Sequence, residues 1–463
     1  MDDPIVDFIE AACVPLDADH ASGTLELAAT VLTAHADLAS RSIYAAAILG
    51  DAAAVRQFLE REPALATMKG GPREWDALTY LAFSRYLRLD PSRSDGFVDA
   101  ATALLDAGAS ANTGWFEPHH QPEPTWESAI YGAAGIARHP ELTRLLLARG
   151  ADPNDDETPY HAPETYDNRA LEILVESGKL SVQSLATILL RKTDWHDEDG
   201  IMWLLARGVD PDTPTLFGKT ALHNAILSDN CLAIIDALLD RGADPKRVAT
   251  RPTRAPGPSP ARSAYAMAAR RGRADVLASF ARRGVPDELE GVEQLIAACA
   301  RNDVATAGRI AEAEPELLAQ LRAEGGKLLA EFAGVHNTGG VRALLDLGVD
   351  VAAPYTEGDG YFGIPKNSLA IHVAAWKMAH ATVKLLIERG SPVDVPDANG
   401  RTPLALAVRA CVDSYWMSRR SPESVEALLA AGASASGIEL PTGYEEIDEL
   451  LRVSTRNKDA SRN

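Results

Sequence analysis

A recurring phrase constrains this chain more than any other feature: a leucine-rich stretch with helical spacing that ends in glycine and a polar turn. Residues 142–154 (LTRLLLARGADPN) give its fullest form. The glycines that end the phrase are 28 to 64 residues apart: Gly108, Gly150, Gly178, Gly208, Gly242, Gly284, Gly348, Gly390 and Gly432. Recurrence at intervals of roughly 20–50 residues is typical of arrays in which each unit packs on its neighbours. The chain is therefore predicted to be a repeat array.

The chemistry of the phrase explains why it ends where it does. Leu142 and Leu146 lie four residues apart, on one face of a predicted helix. Gly150 ends that helix, because glycine adopts the left-handed conformation that other residues resist. Asp152 and Pro153 then begin a polar turn toward the next unit.

A second, alanine-rich helix precedes each such phrase, and Thr158, Thr220 and Thr402 open its clearest examples (TPYH, TALH and TPL). Threonine supplies a capping oxygen, and Pro403 fits a first helical turn. These motifs resemble the ankyrin-repeat family, whose signature is T-P-L-H-x-A-A followed by a second helix and G-A-D-x-N. The resemblance covers about 42–436. It implies stacked antiparallel helix pairs, loops projecting from one edge, and function by binding proteins.

The predicted architecture is an all-α solenoid of about eleven helix-pair units with helical end caps. Residues 1–41 are predicted to cap the amino-terminal end, and 437–463 to form a closing helix and tail. The unit at 42–65 resembles the unit that begins near 292, and each is followed by a unit that ends in a glycine turn and then by a long aromatic insertion. This similarity predicts two sub-stacks, 42–286 and 287–436. Chance similarity between alanine-rich helices is the alternative.

Composition narrows the functional classes. A net charge of −21 argues against a general nucleic-acid binder or a binder of anionic membranes. The four cysteines are far apart, which is typical neither of a disulfide framework nor of a zinc site. No apolar run is long enough for a membrane helix, and the first residues are acidic rather than basic. We therefore expect a cytoplasmic protein, and its alanine-rich, arginine-rich composition favours a bacterial source.

One segment departs from this acidity. Residues 246–273 contain eight Lys and Arg and no acidic residue, and their proline-rich first half is predicted to be an exposed loop. Such a loop would either bind an anionic ligand or an acidic partner, or neutralise acidic neighbours in its own chain.

Catalytic residue types are sparse. His196 lies between Asp194 and Asp197, a pattern that suits a general base, although these residues also suit a turn whose aspartates cap the next helix. The ankyrin resemblance gives His161 a structural role between neighbouring turns, and Tyr131 occupies the same place one unit earlier. Both stay candidates for a catalytic site.

His119 and His120 are adjacent and lie near Glu117 and Glu123. These residue types can bind a metal ion, but their spacing is not that of a metal site. A solvated loop is the expectation there. The sequence predicts no metal site and no cofactor.

Two insertions concentrate aromatic residues in a chain that is only 6% aromatic. The first, 113–128, holds Trp115, Phe116 and Trp126, and the second, 353–368, holds Tyr361 and Phe362. Insertions in repeat proteins often form the binding face, and exposed aromatic residues dominate binding energy. These loops are therefore predicted to line the ligand face. The alternative is that each covers the flank of its own stack.

Two functions follow. The first is a scaffold that binds a partner protein or peptide through its concave face and the aromatic insertions. The second is an enzyme or a binder of a polar or carbohydrate-like small molecule, with a pocket in units two to six. That pocket would be lined by aromatic and ionisable residues: Trp115, Trp126, Tyr131, His161, Trp195 and His196.

Overall fold

The computed structural model describes residues 3–16, 18–121, 123–250 and 261–460. Contacts divide the chain into two compact units. The first holds 1–224, 237–243 and 250–259, and the second holds 225–236, 244–249 and 260–463. The predicted sub-stacks, which rest on sequence similarity rather than contacts, stay a prediction.

The first unit begins with the helices Pro4–Ala12, Glu26–Ala34 and Leu38–Arg41, in the predicted cap. Five helix pairs follow: Ile43–Ile48 with Ala52–Arg61, Ala77–Ala82 and Arg85–Leu89 with Ser94–Asp106, Ala129–Tyr131 and the π-helical turn Gly132–Ile136 with Pro140–Ala148, Glu157–His161 with Arg169–Glu176, and Val182–Asp194 with Glu198–Ala206. Short 3₁₀ turns occupy Pro63–Ala66 and Pro91–Arg93. The strands Gly114–Glu117 and Thr125–Ser128 complete the regular structure.

The sixth pair, Ala221–Leu227 with Leu232–Asp240, contributes residues to both units. Five pairs follow in the second unit: Ala264–Arg271 with Ala274–Arg282, Gly291–Ala300 with Val304–Ala313, Gly325–Gly334 with Thr338–Asp346, Ala370–Trp376 with His380–Glu388, and Pro403–Val412 with Glu423–Ala430. The helices Pro315–Ala323 and Glu445–Ala460 and the 3₁₀ turn Met417–Arg419 lie outside these pairs. The described residues thus form eleven pairs, which confirms the predicted all-α repeat architecture.

Within each unit, neighbouring pairs pack in register. In the second unit, Gly325–Gly334 packs on Ala370–Trp376, which packs on Pro403–Val412, while Thr338–Asp346 packs on His380–Glu388. First helices therefore contact first helices and second helices contact second helices. This is the side-by-side stacking that buries a continuous core in repeat proteins.

The glycine that ends each second helix behaves as predicted. All nine glycines of the recurring phrase have positive φ, with Gly390 at 82°. Among the described residues, nothing lies within 4 Å of the position that a β-carbon would take at Gly390. The requirement for glycine there is conformational rather than steric.

We expect Gly390→Ala to lower the free energy of unfolding by about 1–2 kcal/mol, because alanine pays the left-handed penalty. Gly308→Ala is the matched control in the same unit. Gly308 lies inside the helix Val304–Ala313, also with open space around it. Alanine there should stabilise by about 0.5–1 kcal/mol. Urea unfolding of both variants checks the prediction, which would be wrong if the two changes had the same sign.

Within most pairs, the turn between the two helices passes through one residue with positive φ. His196, at 50°, occupies this position in the fifth pair. Eight of the eleven pairs share the feature in the described residues, at Gly50, Arg138, His196, Asp229, Gly272, Asn302, His336 and Met378. The sequence did not predict it, because six of these positions are not glycine.

The two aromatic insertions differ from the predicted loops, and the basic segment is described only in part. The insertion at 113–128 holds an antiparallel strand pair rather than loop alone. The second insertion closes through isolated bridges between Tyr355 and Ser368 and between Asp359 and Ile364. The basic segment ends in the helix Ala264–Arg271, and 251–260 lie outside the described residues.

In the described part of the chain, none of the helices has the length and apolarity needed to cross a membrane.

Candidate functional site

The strand pair forms a hairpin whose two faces carry different chemistry. Trp115 stands opposite Glu127 and Phe116 stands opposite Trp126, and side chains alternate between faces along a strand. Trp115, Glu117 and Glu127 are accordingly buried on the inner face. Phe116 and Trp126 form a cross-strand pair on the outer face, 57% and 41% exposed.

Close backbone contact joins the two strands at Gly114. A β-carbon there would overlap the carbonyl oxygen of Glu127, so a larger residue would push the strands apart. Ser128 ends the second strand and caps the following helix, since its Oγ accepts from the backbone N–H of Tyr131 at 3.0 Å. The first turn of the third pair is thereby fixed to the hairpin.

Five side chains meet behind the inner face, and we call them the carboxylate–histidine cluster: His20, Glu117, His120, Glu127 and Glu157. His20 Nε2 lies 3.5 Å from Glu117 Oε2, and His120 Nε2 lies 3.7 Å from Glu157 Oε2. His20, Glu117, Glu127 and Glu157 are buried, and Glu127 is 0% exposed. Neither carboxylate oxygen of Glu127 has a hydrogen-bond partner among the described residues.

A chain of ion pairs continues from the cluster through His161. Its Nε2 lies 3.3 Å from Glu157 Oε2, and its Nδ1 lies 3.0 Å from Glu164 Oε2. Arg191 pairs with both Glu164 and Asp194. The carboxylates on this side of the cluster are therefore neutralised by neighbouring cations.

His161 does not play the structural role that the resemblance implies. His372, at the equivalent place in a later repeat, accepts from the backbone N–H of Leu369 at 3.0 Å and lies 2.8 Å from the carbonyl oxygen of Val395. Both ring nitrogens of His372 thus contact backbone groups, whereas both ring nitrogens of His161 contact carboxylates.

Burial and charge shift the protonation of the cluster. Burial, together with the nearby carboxylates of Glu157 and Glu117, raises the pKa of Glu127 to about 9. Burial alone would lower the pKa of His161, but hydrogen bonds to Glu157 and Glu164 raise it to about 9. Burial lowers the pKa of His20 despite the adjacent Glu117.

The predicted aromatic ligand face is only partly exposed. Trp115 is 7% exposed and packs with its ring centroid 5.1 Å from that of Trp75, and Phe362 is 8% exposed. The expectation that these two residues are exposed is therefore wrong, because each packs into the unit that carries it. Phe116, Trp126 and Tyr361 are exposed.

In the second unit, the predicted residues Tyr361 and Phe362 come together with other aromatic residues around a buried lysine. The ring of Phe362 lies 4.7 Å from that of Tyr361 and 6.1 Å from that of Trp416, centroid to centroid. Lys377 Nζ lies 3.2 Å from the Phe362 centroid and 4.7 Å from the Trp416 centroid. The two buried rings therefore surround a cation while Tyr361 and Tyr415 face solvent.

The catalytic candidates around His196 lie at the turn of the fifth pair. Asp197 caps the next helix, since its Oδ1 accepts from the backbone N–H of Gly200 at 3.0 Å. Its Oδ2 accepts from Lys192 Nζ at 2.7 Å. Trp195 is half-buried, and its carbonyl oxygen accepts from Tyr166 Oη at 2.8 Å. The contact with Gly200 is the helix cap that the sequence offered as the alternative to catalysis for Asp197, and the other two contacts tie the turn to neighbouring side chains.

The sequence predicted part of the cluster. Tyr131 and His161 were predicted for a pocket in units two to six, and both contact the cluster. His119 and Glu123 are exposed, as a solvated loop requires, but Glu117 is buried. His20, Glu127 and Glu157 were missed. The alternation of Trp-Phe-Glu at 115–117 and Thr-Trp-Glu at 125–127 was the signal for two strands with glutamates on one face.

In chemical terms, the cluster offers nitrogen and oxygen ligands to a cation. One ligand atom each from His20, Glu117 and Glu127 lies within 4.8 Å of the others, and the same holds for His120, Glu127 and Glu157. Glu127 belongs to both groups. The residue types are those that bind transition-metal ions in proteins.

Comparison with known proteins adds the family. A family model described as ankyrin repeat matches residues 217–247, which hold the sixth helix pair. No curated protein matches the chain. Among solved structures, the human ASB11 ankyrin repeat domain is 18% identical, covering 60% of this chain and 99% of its own length, with a TM-score of 0.24. That score is too low to support an argument about function. Residues 217–247 are therefore an ankyrin repeat, which forms one helix pair in an array of eleven among the described residues.

Proposed function

We propose that this protein is a binding scaffold that recognises a partner protein or peptide through the outer face of the hairpin. Ankyrin repeats are generally protein–protein interaction scaffolds. The observation that carries the proposal is the exposed cross-strand pair of Phe116 and Trp126. Chemistry indicates the kind of partner. It would contact the two rings with an apolar side chain, and it would carry basic residues beside that side chain, because this chain has a net charge of −21.

The hairpin is rigid enough to present these two rings. Gly114 brings the strands into close contact, and Trp115 on the opposite face is buried against Trp75. Aromatic side chains that are already ordered lose little conformational entropy when a partner covers them. An exposed aromatic pair on an anchored hairpin is therefore suited to serve as a binding hot spot.

We further propose that the protein acts in a bacterial cytoplasm. Cys13, Cys299 and Cys411 are buried free thiols, and burial raises the pKa of Cys13 and Cys299 to about 12. Thiols that stay protonated and unpaired suit a reducing compartment.

Phe116→Ala and Trp126→Ala are each expected to weaken partner binding by about 1–3 kcal/mol, with the melting temperature nearly unchanged. A photo-crosslinking amino acid at position 116 first identifies the partner, and calorimetry then measures the affinity of each variant. Loss of binding follows from the removal of an apolar anchor rather than from unfolding, because both side chains are exposed.

Leu27→Ala is the matched control, since Leu27 is an exposed apolar side chain of the same unit, in the helix Glu26–Ala34. It should leave the affinity unchanged. If the alanine variants at 116 and 126 bind the crosslinked partner as tightly as the Leu27 variant does, the outer face is not the binding surface.

A further inference from the structure

We propose that the inner face of the hairpin binds one divalent transition-metal ion, of the Zn²⁺, Mn²⁺, Fe²⁺ or Co²⁺ class, through His20, Glu117 and Glu127. This site is separate from the partner-binding surface, which uses the other face of the same two strands. The proposal begins from geometry, since the three ligand atoms lie within 4.8 Å of one another. Atoms that share one ion at about 2.0–2.2 Å lie within about 4.4 Å of each other, so small adjustments complete the site.

The burial of the two glutamate side chains favours a cation as their ligand. Both Oε atoms of Glu127 are buried and accept no hydrogen bond from any described residue, and the polar group that they face is the carboxyl of Glu117. Glu117 Oε2 is also buried, and it lies 3.5 Å from His20 Nε2. Carboxylates are almost always hydrogen-bonded or paired when they are buried, because the desolvation cost is several kcal/mol per ion. A divalent cation between the two glutamates would displace the proton of Glu127 and bind these oxygens.

The histidine is oriented as a ligand. His20 Nδ1 lies 3.1 Å from Tyr131 Oη, although the two residues are 111 positions apart in the chain. With Nδ1–H donating to that hydroxyl, Nε2 carries the lone pair, and Nε2 is the atom that lies 3.5 Å from Glu117. A hydrogen bond at the far ring nitrogen is how proteins fix the tautomer and the orientation of a metal-binding histidine.

The second group of possible ligands, His120, Glu127 and Glu157, is less suited to binding the ion. Glu157 already faces His161 at 3.3 Å, so a cation next to Glu157 would compete with an existing ion pair. His120 is also partly exposed, with a side chain at 26% against 9% for His20. These differences place the ion on the His20 side of Glu127.

The ligand set selects the class of ion. One imidazole nitrogen and two carboxylates suit zinc and the neighbouring divalent transition metals, whereas magnesium and calcium prefer oxygen ligands alone. Three protein ligands leave a position for water, as in metal sites that keep an open coordination position.

To test the proposal, the chain is first dialysed against EDTA to remove metal ions. It is then titrated with Co²⁺ and, separately, with Zn²⁺. Equilibrium dialysis gives the stoichiometry, and visible absorption reports cobalt in a protein site. We expect one ion per chain, visible cobalt bands stronger than those of the aqueous ion, and a higher melting temperature in the presence of Zn²⁺, because ligand binding stabilises the folded state.

Variants locate the site. Glu127→Gln and His20→Gln should abolish the cobalt bands and the Zn²⁺-dependent rise in melting temperature. Tyr131→Phe keeps the ring but removes the partner of His20, and should weaken binding by about 10–100-fold. The control is His119→Gln, since His119 is an exposed histidine outside the cluster, and it should bind like the parent.

The proposal is overturned if the parent chain binds no ion, or if Glu127→Gln and His20→Gln bind cobalt as the parent does. It is also overturned if His120→Gln loses the ion while His20→Gln keeps it, because the site would then be the second group. Glu127→Gln removes a buried acidic group and should fold without metal, which its circular dichroism spectrum checks. If it does not fold, the metal affinity of Tyr131→Phe and the cobalt absorption bands of His20→Gln test the site instead.

Discussion

Replacement of Arg271 by alanine is expected to lower the free energy of unfolding of the second unit by about 3–5 kcal/mol. Arg271 is buried, and its guanidinium is bidentate to Asp229, with Nε–Oδ1 at 2.8 Å and Nη2–Oδ2 at 2.9 Å. It also pairs with Glu331 and with Asp359. Without the guanidinium, Glu331 and Asp359 would lose this cation, and Asp229 would keep only its ion pair with Lys377.

The protonation of this network shows how closely its charges depend on one another. Burial alone would raise the pKa of Asp229, but Arg271 and Lys377 lower it to about 2. Burial lowers the pKa of Lys377 to about 8 although Asp229 lies 2.7 Å away. Removing one member of a buried set leaves the others unpaired, which costs more than the set itself contributes.

Urea unfolding of Arg271→Ala measures the loss, and Arg389→Ala is the control. Arg389 lies in the same unit, and its ion pair with Asp346 is much more exposed than the pairs of Arg271, with side chains 32% and 47% exposed. Exposed pairs contribute about 0–1 kcal/mol, so the control should unfold close to the parent. Equal losses in the two variants would mean that burial does not govern the strength of this network.

The second large effect is expected at Asp197, one of the catalytic candidates. Asp197→Ala should lower the free energy of unfolding by about 3–5 kcal/mol, because it leaves the ammonium group of Lys192 buried and without its carboxylate. Lys192 is 0% exposed, and its Nζ also donates to the carbonyl oxygen of Thr165 at 2.5 Å. The change also removes the cap of the helix Glu198–Ala206.

Two further variants separate the contribution of the helix cap from that of the buried ion pair. Asp51→Ala removes an N-cap of the same unit, where Asp51 Oδ1 accepts from the backbone N–H of Ala54 at 2.9 Å, and should cost about 0.5–2 kcal/mol. The double variant Lys192→Met with Asp197→Ala should recover part of the loss, since no buried charge remains. An Asp197→Ala protein that unfolds like the parent would contradict this structural role and favour the catalytic hypothesis for the residue.

The repeats were predictable from sequence because their signals are local. Thr402 accepts from the backbone N–H of Ala405 at 3.2 Å and opens the helix Pro403–Val412, as the TPL motif predicted. Gly150 has positive φ after Pro140–Ala148, as the recurring phrase predicted. Capping and helix termination depend on residues within one or two turns of each other, so a single sequence contains the necessary information.

The cluster was harder to predict because its parts are distant in sequence. His20 meets Tyr131 across 111 positions, and no spacing rule connects them. The hairpin strands are four residues each, which is too short for a period of two to stand out against the surrounding helices. The burial of Trp115 and Phe362 likewise depends on neighbours that only the folded chain brings together.

The alternation of faces along the hairpin has a consequence for how this protein can diverge. Single substitutions can alter Phe116 or Trp126 without touching Glu117 or Glu127, since neighbouring residues point to opposite sides of the strand pair. An insertion or deletion of one residue in either strand would instead exchange the two sides, placing an aromatic ring inside and a carboxylate outside. Relatives that share the inner glutamates are therefore expected to vary freely in the outer pair while keeping both strand lengths fixed.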